Sequence, residues 1–243
     1  MMTRRRDGRR YDELRPITFD RGFVPNSPGS VLIRAGATAI LVTAQLSESV
    51  PPFLDGTGQG WLTAEYAMLP GSTIPRNRRG ADGRATEIQR LIGRTLRSVL
   101  NRQELGACTI HVDADVINAD GGTRTAAITG AFVALVDALH EKFGDRTREI
   151  IRDSVAAVSV GIVEGEALLD LNYAEDSIAQ VDINVVGLGS GGLVEIQGTG
   201  EGSCFSRGQL DGLLNLAEQG IKQLQELQLR VLGPNWPLRW SSG

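Results

Sequence analysis

Thr109-Ile110-His111-Val112-Asp113-Ala114-Asp115-Val116-Ile117 and, shortly after it, Gly121-Gly122-Thr123-Arg124-Thr125-Ala126-Ala127-Ile128-Thr129-Gly130-Ala131 decide how this chain folds. The first run alternates apolar and polar residues, the period of a half-buried strand, and puts His111, Asp113 and Asp115 on one side. The second opens a segment, 123–143, that is apolar nearly all round, which predicts a helix buried against a sheet. Between them a glycine pair lets the backbone turn tightly and approach a ligand. The first amides of the helix are left unpaired there, and its dipole favours an anion. Arg124 adds a fork-shaped donor that matches phosphate oxygens, and Thr123 adds a hydroxyl. Taken alone, the pattern fits both a phosphate site and a plain strand-to-helix connection.

On the N-terminal side, 15–19, 30–35 and 38–46 read as strands, the last two joined at Gly36 as a hairpin. A loop over 50–60 leads to a strand at 61–67, then to an arginine-bearing loop at 70–83. From 84 to 101, Ile88, Leu91, Ile92, Leu96 and Val99 recur at helical spacing. The other face of that helix carries Arg90, Arg94 and Arg97, a row that suits either solvent or RNA. On the C-terminal side, strands are predicted at 155–163 and 167–172, then an acidic turn, then strands at 181–186 and 193–197. A final helix spans 206–232 with Ser206 as N-cap. Two runs of strands, each closed by a helix, predict one α+β domain over 1–232 built as a pseudo-repeat, its units at about 1–145 and about 150–232. The tail, 233–243, holds Trp236 and Trp240 and either docks or is disordered.

Composition narrows the chemistry. The 243 residues contain no stretch long and apolar enough to span a membrane, and Met1–Arg10 lacks the apolar core of a signal peptide, so a cytoplasmic protein is expected. Cys108 and Cys204 do not make a disulfide framework, and with only His111 and His140 and no Cys-x-x-Cys pair neither a zinc site nor a His-dependent triad is expected. Residues 1–100 hold 15 arginines against 9 acidic residues, while the remainder holds 10 basic and 20 acidic residues. A basic half on an acidic protein points to a polyanion partner on one face; a GC-rich genome, which favours arginine over lysine, gives the same bias.

Glu175-Asp176-Ser177-Ile178-Ala179-Gln180-Val181-Asp182 sets Asp176 and Asp182 six residues apart across a turn into a strand. Such a pair suits Mg²⁺, which takes a few hard oxygen ligands and leaves its other positions to water and substrate phosphate. A helix cap followed by a strand-edge aspartate would look the same. In order along the chain stand Arg6-Asp7-Gly8-Arg9, Asp12-Glu13-Leu14-Arg15-Pro16, Val50-Pro51-Pro52-Phe53-Leu54 and Gly60-Trp61-Leu62-Thr63-Ala64-Glu65-Tyr66-Ala67-Met68-Leu69-Pro70. After them come Thr86-Glu87-Ile88-Gln89-Arg90-Leu91-Ile92-Gly93-Arg94, Asp115-Val116-Ile117-Asn118-Ala119-Asp120-Gly121-Gly122-Thr123-Arg124-Thr125 and Leu169-Asp170-Leu171-Asn172-Tyr173. The acidic segment continues as Asp182-Ile183-Asn184-Val185, and Glu195-Ile196-Gln197-Gly198-Thr199-Gly200-Glu201 closes the series. Through these motifs, along nearly its whole length, the chain resembles the ribonuclease PH family, the bacterial phosphorolytic 3′-5′ exoribonucleases also called tRNA nucleotidyltransferases.

That resemblance implies a two-unit βα fold with a left-handed crossover, ribosomal-protein-S-five-domain-2-like, and a homohexamer assembled as a trimer of dimers. It implies phosphate binding by Arg84, Gly122, Thr123 and Arg124, and Asp176 and Asp182 as catalytic residues holding Mg²⁺, with Mn²⁺ as the alternative. Inorganic phosphate would be co-substrate, and the 3′ ends of tRNA precursors and other RNA the substrate, with Arg76, Arg79, Arg90 and Arg94 toward RNA. Arg84 enters from the resemblance alone. The chain departs from the family in a shortened loop, Arg76–Gly83, and in Gly71 where an arginine is common, which bears on RNA path and ring assembly. The competing class is a catalytically silent RNA-binding ring or scaffold subunit of an exosome-like assembly. Such subunits lose the phosphate arginines or the aspartates, and this chain keeps both.

Overall fold

Alternating hydrophobicity in the first half of the chain produces five strands: β1 (Ile17–Arg21), β2 (Gly29–Ala35), β3 (Thr38–Ser47), β4 (Trp61–Met68) and β5 (Thr109–Asn118). They form one sheet in the order β1-β2-β3-β5-β4, antiparallel except for the parallel β4–β5 pair. The connection between those two carries α1 (Gly83–Ser98) and the short α2 (Arg102–Leu105). A second sheet, β7-β6-β8-β9, is antiparallel throughout and comprises β6 (Val155–Val163), β7 (Glu166–Leu169), β8 (Val181–Leu188) and β9 (Leu193–Gly200). The remaining helices are α3 (Thr123–Phe143), α4 (Thr147–Ile150), α5 (Tyr173–Asp176) and α6 (Arg207–Leu232). This computed structural model describes residues 5–80, 83–201 and 204–236. Among them no helix is long and apolar enough to cross a membrane. The mixed α+β class expected from the strand and helix periodicities is the one found.

Helix α3 is apolar all round because it is covered on two sides. It lies against β2 and β3 of the first sheet, beside α1, which packs on β4, and against β6 of the second sheet. Gly130 lets it approach: a Cβ there would stand 2.7 Å from Ile33 Cγ2. Strand β6 is buried on both faces. Val155 and Ala157 join the core shared with α3, whereas Ala156, Val158, Val160 and Ile162 join the one shared with α6. Ser206 caps α6 as expected, in a reciprocal pair with Gln209. Trp236 docks edge-on against Phe132, with ring centroids 6.0 Å apart; Trp240 lies outside the described residues.

Where the elements differ from their sequence patterns, a side chain has found a tertiary partner. Arg15, read as the start of a strand, turns inward, and β1 begins at Ile17. Its backbone amide donates to Asp170 Oδ2 at 2.8 Å, its Nη2 to Asp170 Oδ1 at 2.7 Å, and its Nη1 to the Asp120 carbonyl at 2.6 Å. Asp170 adopts a left-handed backbone, φ 55°, so β7 stops at Leu169 and does not reach Asn172. Asn172 instead caps α5 in a box with Glu175, which puts a helical turn inside the segment expected to be only an acidic turn. Helix α1 ends at Ser98, not Asn101, because the Asn101 amide donates to the Ile150 carbonyl.

Arg15 and Asp170 are both about 5% exposed, so each charge depends on the other. Arg9 Nη1 donates to the Asp170 carbonyl at 3.0 Å and stands 3.6 Å from its carboxylate. Asp170→Asn keeps the tolerance for a left-handed backbone but strips the carboxylate from a buried guanidinium. Urea unfolding of that variant should show a loss of about 3–5 kcal/mol; a loss under about 1 kcal/mol would mean that Arg15 finds solvent once unpaired.

Candidate functional site

The turn between β5 and α3 packs on the turn between β7 and α5. Gly121 sits at φ 76°, where an added Cβ would lie 2.7 Å from the Leu171 carbonyl oxygen and 2.8 Å from the Tyr173 amide. Gly122, the N-cap of α3 at φ 62°, faces Arg15, whose Nη2 would be 2.8 Å from such a Cβ. Only glycine fits both positions, for reasons of backbone angle and of space. Thr38 Oγ1 fastens the turn, donating to the Gly121 carbonyl at 2.8 Å and accepting from the Asp120 amide at 3.0 Å. Thr123, the first residue of α3, is buried and accepts a hydrogen bond from the Tyr66 hydroxyl at 2.9 Å.

Opposite this turn lie the two aspartates. Asp176 ends α5. Asp182 is the second residue of β8, an interior strand, in register with Gly161 on one side and Thr199 on the other. It is therefore not a strand-edge residue, and Asp176 is not the cap of its helix. Alternation along β8 and β9 puts Asp182 and Asn184 on one face with Gln197 and Thr199, the face turned to α1 and α3. Burial pushes the Asp182 carboxyl up to about 6, with the charges of Asp176 and Glu201 adding to it and those of Arg124 and Arg84 opposing it. Burial likewise raises Asp176, against the same two arginines.

Arg84 and Arg124 thus stand within electrostatic reach of both carboxylates. Arg84 is exposed in the first turn of α1, and Arg124 is in the first turn of α3, so two helix N-termini meet one pair of acids. Arg124 Nη1 donates to Gln197 Oε1 and, at 3.2 Å, to Glu87 Oε1; Gln197 Nε2 in turn donates to Glu87 Oε1 at 2.7 Å. Glu87 is 43% exposed, so its ion pair with Arg124 is weak and yields readily to a stronger anion. Among the described residues no group of three or more His, Cys, Asp or Glu side chains is arranged to hold a metal.

The structure brings Gly122, Thr123, Arg124, Arg84, Asp176 and Asp182 to one place. It leaves Arg76, Arg79 and Arg90 exposed, the first two in the loop before α1, and pairs Arg94 with Glu195. Gln197, Glu87, Glu201 and Tyr66 were not assigned roles from sequence, because nothing in a strand pattern or a helix face marks which polar side chain meets another element. The basic half also proves partly internal. Arg5, Arg9 and Arg15 are buried against Asp170 and Glu175, and Arg21 pairs with Asp137, which leaves less charge for a polyanion than the count of arginines implies.

A carboxyl group whose folded value lies above its ordinary 3.8 binds its proton more tightly when folded, so it costs stability once ionised. Asp182 should add to stability as pH falls through about 6 towards 4, so wild type should gain more over that range than Asp182→Asn, which keeps only the raised carboxyl of Asp176. At neutral pH the variant is expected to be more stable, by on the order of 1–2 kcal/mol, while losing activity. Calorimetric Tm values at about pH 7.5 and about pH 4.5 check this; a variant that melts below wild type at the higher pH would contradict it.

The family model for the 3′ exoribonuclease family, domain 1, matches residues 13–141, and that for domain 2 matches residues 153–220. Ribonuclease PH of Bacillus subtilis (strain 168) is 54% identical over 241 residues, covering 96% of this chain and 98% of that protein. Ribonuclease PH of Thermosynechococcus vestitus is 54% identical over 236 residues, covering 95% and 98%. Among solved structures, rice (Oryza sativa) Rrp46 superposes with a TM-score of 0.78 at 19% identity, covering 94% of this chain and all of that one. The Archaeoglobus fulgidus exosome with RNA bound to the active site superposes with a TM-score of 0.79 at 22% identity, covering 92% of each chain. At those identities the structures speak for the fold alone. With both family domains matched in order and more than half the residues shared with whole-length relatives, the chain belongs to the 3′ exoribonuclease family, in its ribonuclease PH branch.

Proposed function

We propose that this phosphorolytic 3′-5′ exoribonuclease trims 3′ extensions of tRNA precursors, with Arg84, Gly122, Thr123 and Arg124 holding inorganic phosphate and Asp176 and Asp182 facing the scissile group. One observation carries the assignment of residues: two arginines on two helix N-termini converge on two half-buried, mutually repelling carboxylates. The arginines and amides suit an anion, and the carboxylates suit a cation. An attacking phosphate beside a phosphodiester brings both needs together.

Phosphate oxygen attacks the terminal phosphorus, the bond to the 3′ oxygen of the preceding nucleotide breaks, and that oxygen leaves with a proton. A nucleoside diphosphate is released, and the reverse reaction extends the 3′ end. The chain's part is to position and to neutralise charge. Arg124 exchanges its exposed contact with Glu87 for the phosphate, and Thr123, held by Tyr66, keeps the first turn of α3 in place. The donor set fits Mg²⁺: two carboxylates leave most of its coordination to water and phosphate oxygens, and a cation beside them would oppose the burial and the Asp176 charge that push Asp182 up. When bound, the ion would offset negative charge on the scissile group. Arg76, Arg79, Arg90 and Arg94 contribute to the RNA-facing surface. The protein works in the cytoplasm as one domain over 1–232, in a homohexamer. The retained arginines and aspartates speak against a silent scaffold subunit.

The test uses a duplex-ended RNA with a short 3′ overhang, Mg²⁺, and phosphate either present or absent. Nucleoside diphosphates should appear only with phosphate, and chelation of the metal should stop them. Arg124→Ala and Asp182→Ala should each lower kcat/KM by roughly 10²- to 10³-fold. Nucleoside monophosphates formed without phosphate would mean hydrolysis and would overturn the roles of Arg84, Thr123 and Arg124.

A further inference from the structure

We propose that the outer flank of α1, with the cluster of Phe53, Trp61, Arg97 and Arg102 at its far end, binds the upstream single-stranded part of the RNA whose 3′ end occupies the site; this rests on the exoribonuclease reading above. The Arg97 guanidinium lies 4.6 Å from the Trp61 ring centroid and that of Arg102 lies 5.5 Å from it. Phe53 meets the same ring edge-on, with centroids 5.2 Å apart at 89°. Arg97 has a structural task, since its Nη1 donates at 2.8 Å to the Leu62 carbonyl on β4, an edge strand that would otherwise invite pairing. Arg102 has no such task. Among the described residues its guanidinium meets neither a carboxylate nor a hydrogen-bond acceptor, and it adds a second positive charge to an indole ring that already carries one.

What this arrangement lacks is an anion. Burial, and after it the charges of Arg102 and Arg94, lower the Arg97 pKa, so the cations are held together against their repulsion. Beside them Phe53 is 65% exposed, an aromatic face braced by Trp61 and open to solvent. Cations next to an open aromatic ring match a single strand, which offers phosphates and stackable bases together. The cluster is also in line with the site. Arg90, Arg94 and Arg97 recur at i, i+4 and i+7 along one stripe of α1, whose N-terminus carries Arg84. The helix spans 16 residues, roughly 24 Å from the candidate phosphate site to the aromatic cluster.

Two RNAs with the same duplex and 3′ end separate the possibilities, one with a single-stranded tail of about 12 nucleotides and one with a tail of about 3. Phe53→Ala and Arg102→Ser should each raise KM for the long tail by roughly 5- to 10-fold, with kcat unchanged and with both constants unchanged for the short tail. Arg102→Ser should also reduce the salt dependence of binding to the long tail by about one phosphate contact. Equal changes on both tails, or none on either, would overturn the proposal. Fluorescence anisotropy of the labelled RNAs, without phosphate, keeps the two readings apart. A wild type that binds the long tail more tightly than either variant but releases no diphosphate would refute phosphorolysis and leave the surface standing. Variants that bind the long tail as wild type does would refute the surface.

Discussion

The guanidinium of Arg15 sits where the two halves of the site touch. It binds the carboxylate of Asp170, just beyond β7 of the second sheet, and the carbonyl of Asp120 in the turn that leads to Arg124. Arg5 and Arg9 extend the same device. Arg5 holds Glu175 with Nε at 2.7 Å and the Leu169 carbonyl with Nη1 at 2.6 Å, and so fixes the short helix whose last residue is Asp176. A four-residue helix has no stability of its own in water. Its geometry is imposed by the N-terminal segment that passes beneath it.

This explains a division of labour among the charges. The buried arginines bind backbone carbonyls and carboxylates and serve the fold, although Arg9 Nη2 makes no hydrogen bond and only stands 3.5 Å from the Glu175 carboxylate. Arg84 and Arg124 stand at helix N-termini, Arg84 exposed and Arg124 held by Gln197 and the exposed Glu87. The aspartates are the reverse of a stabilising arrangement: two carboxylates face each other in a half-buried position, and the fold tolerates the repulsion because β8 is an interior strand fixed on both sides. Strain of that kind is concentrated where a bound ligand relieves it.

Much of the candidate site was legible before any coordinates. Gly121, Gly122, Thr123 and Arg124 announce themselves as a turn into a helix, and Asp176 and Asp182 as paired acids, because these signals are local. Arg84 was not legible from the residues, since an arginine at the start of an amphipathic helix is ordinary; only the family resemblance marked it. Gln197 and Tyr66 were hidden for another reason. Each lies on a strand whose alternation gives the face but not the neighbour, and their partners are 73 and 57 residues away.

Sequence alone determined the periodic elements. Strand alternation and helical spacing gave the α+β class, the buried character of α3 and the capped start of α6, because these depend on burial and on hydrogen bonds within a few residues. Only the tertiary structure decided the fate of the arginines. Arg15 looks like a strand residue and Arg5 like part of a basic tail, yet both are buried ions, whereas Arg102 carries an unneutralised charge beside Trp61. A charged side chain has the same sequence signature whether it is solvated, paired or waiting for an anion, because its partner is set by chain segments far away in sequence.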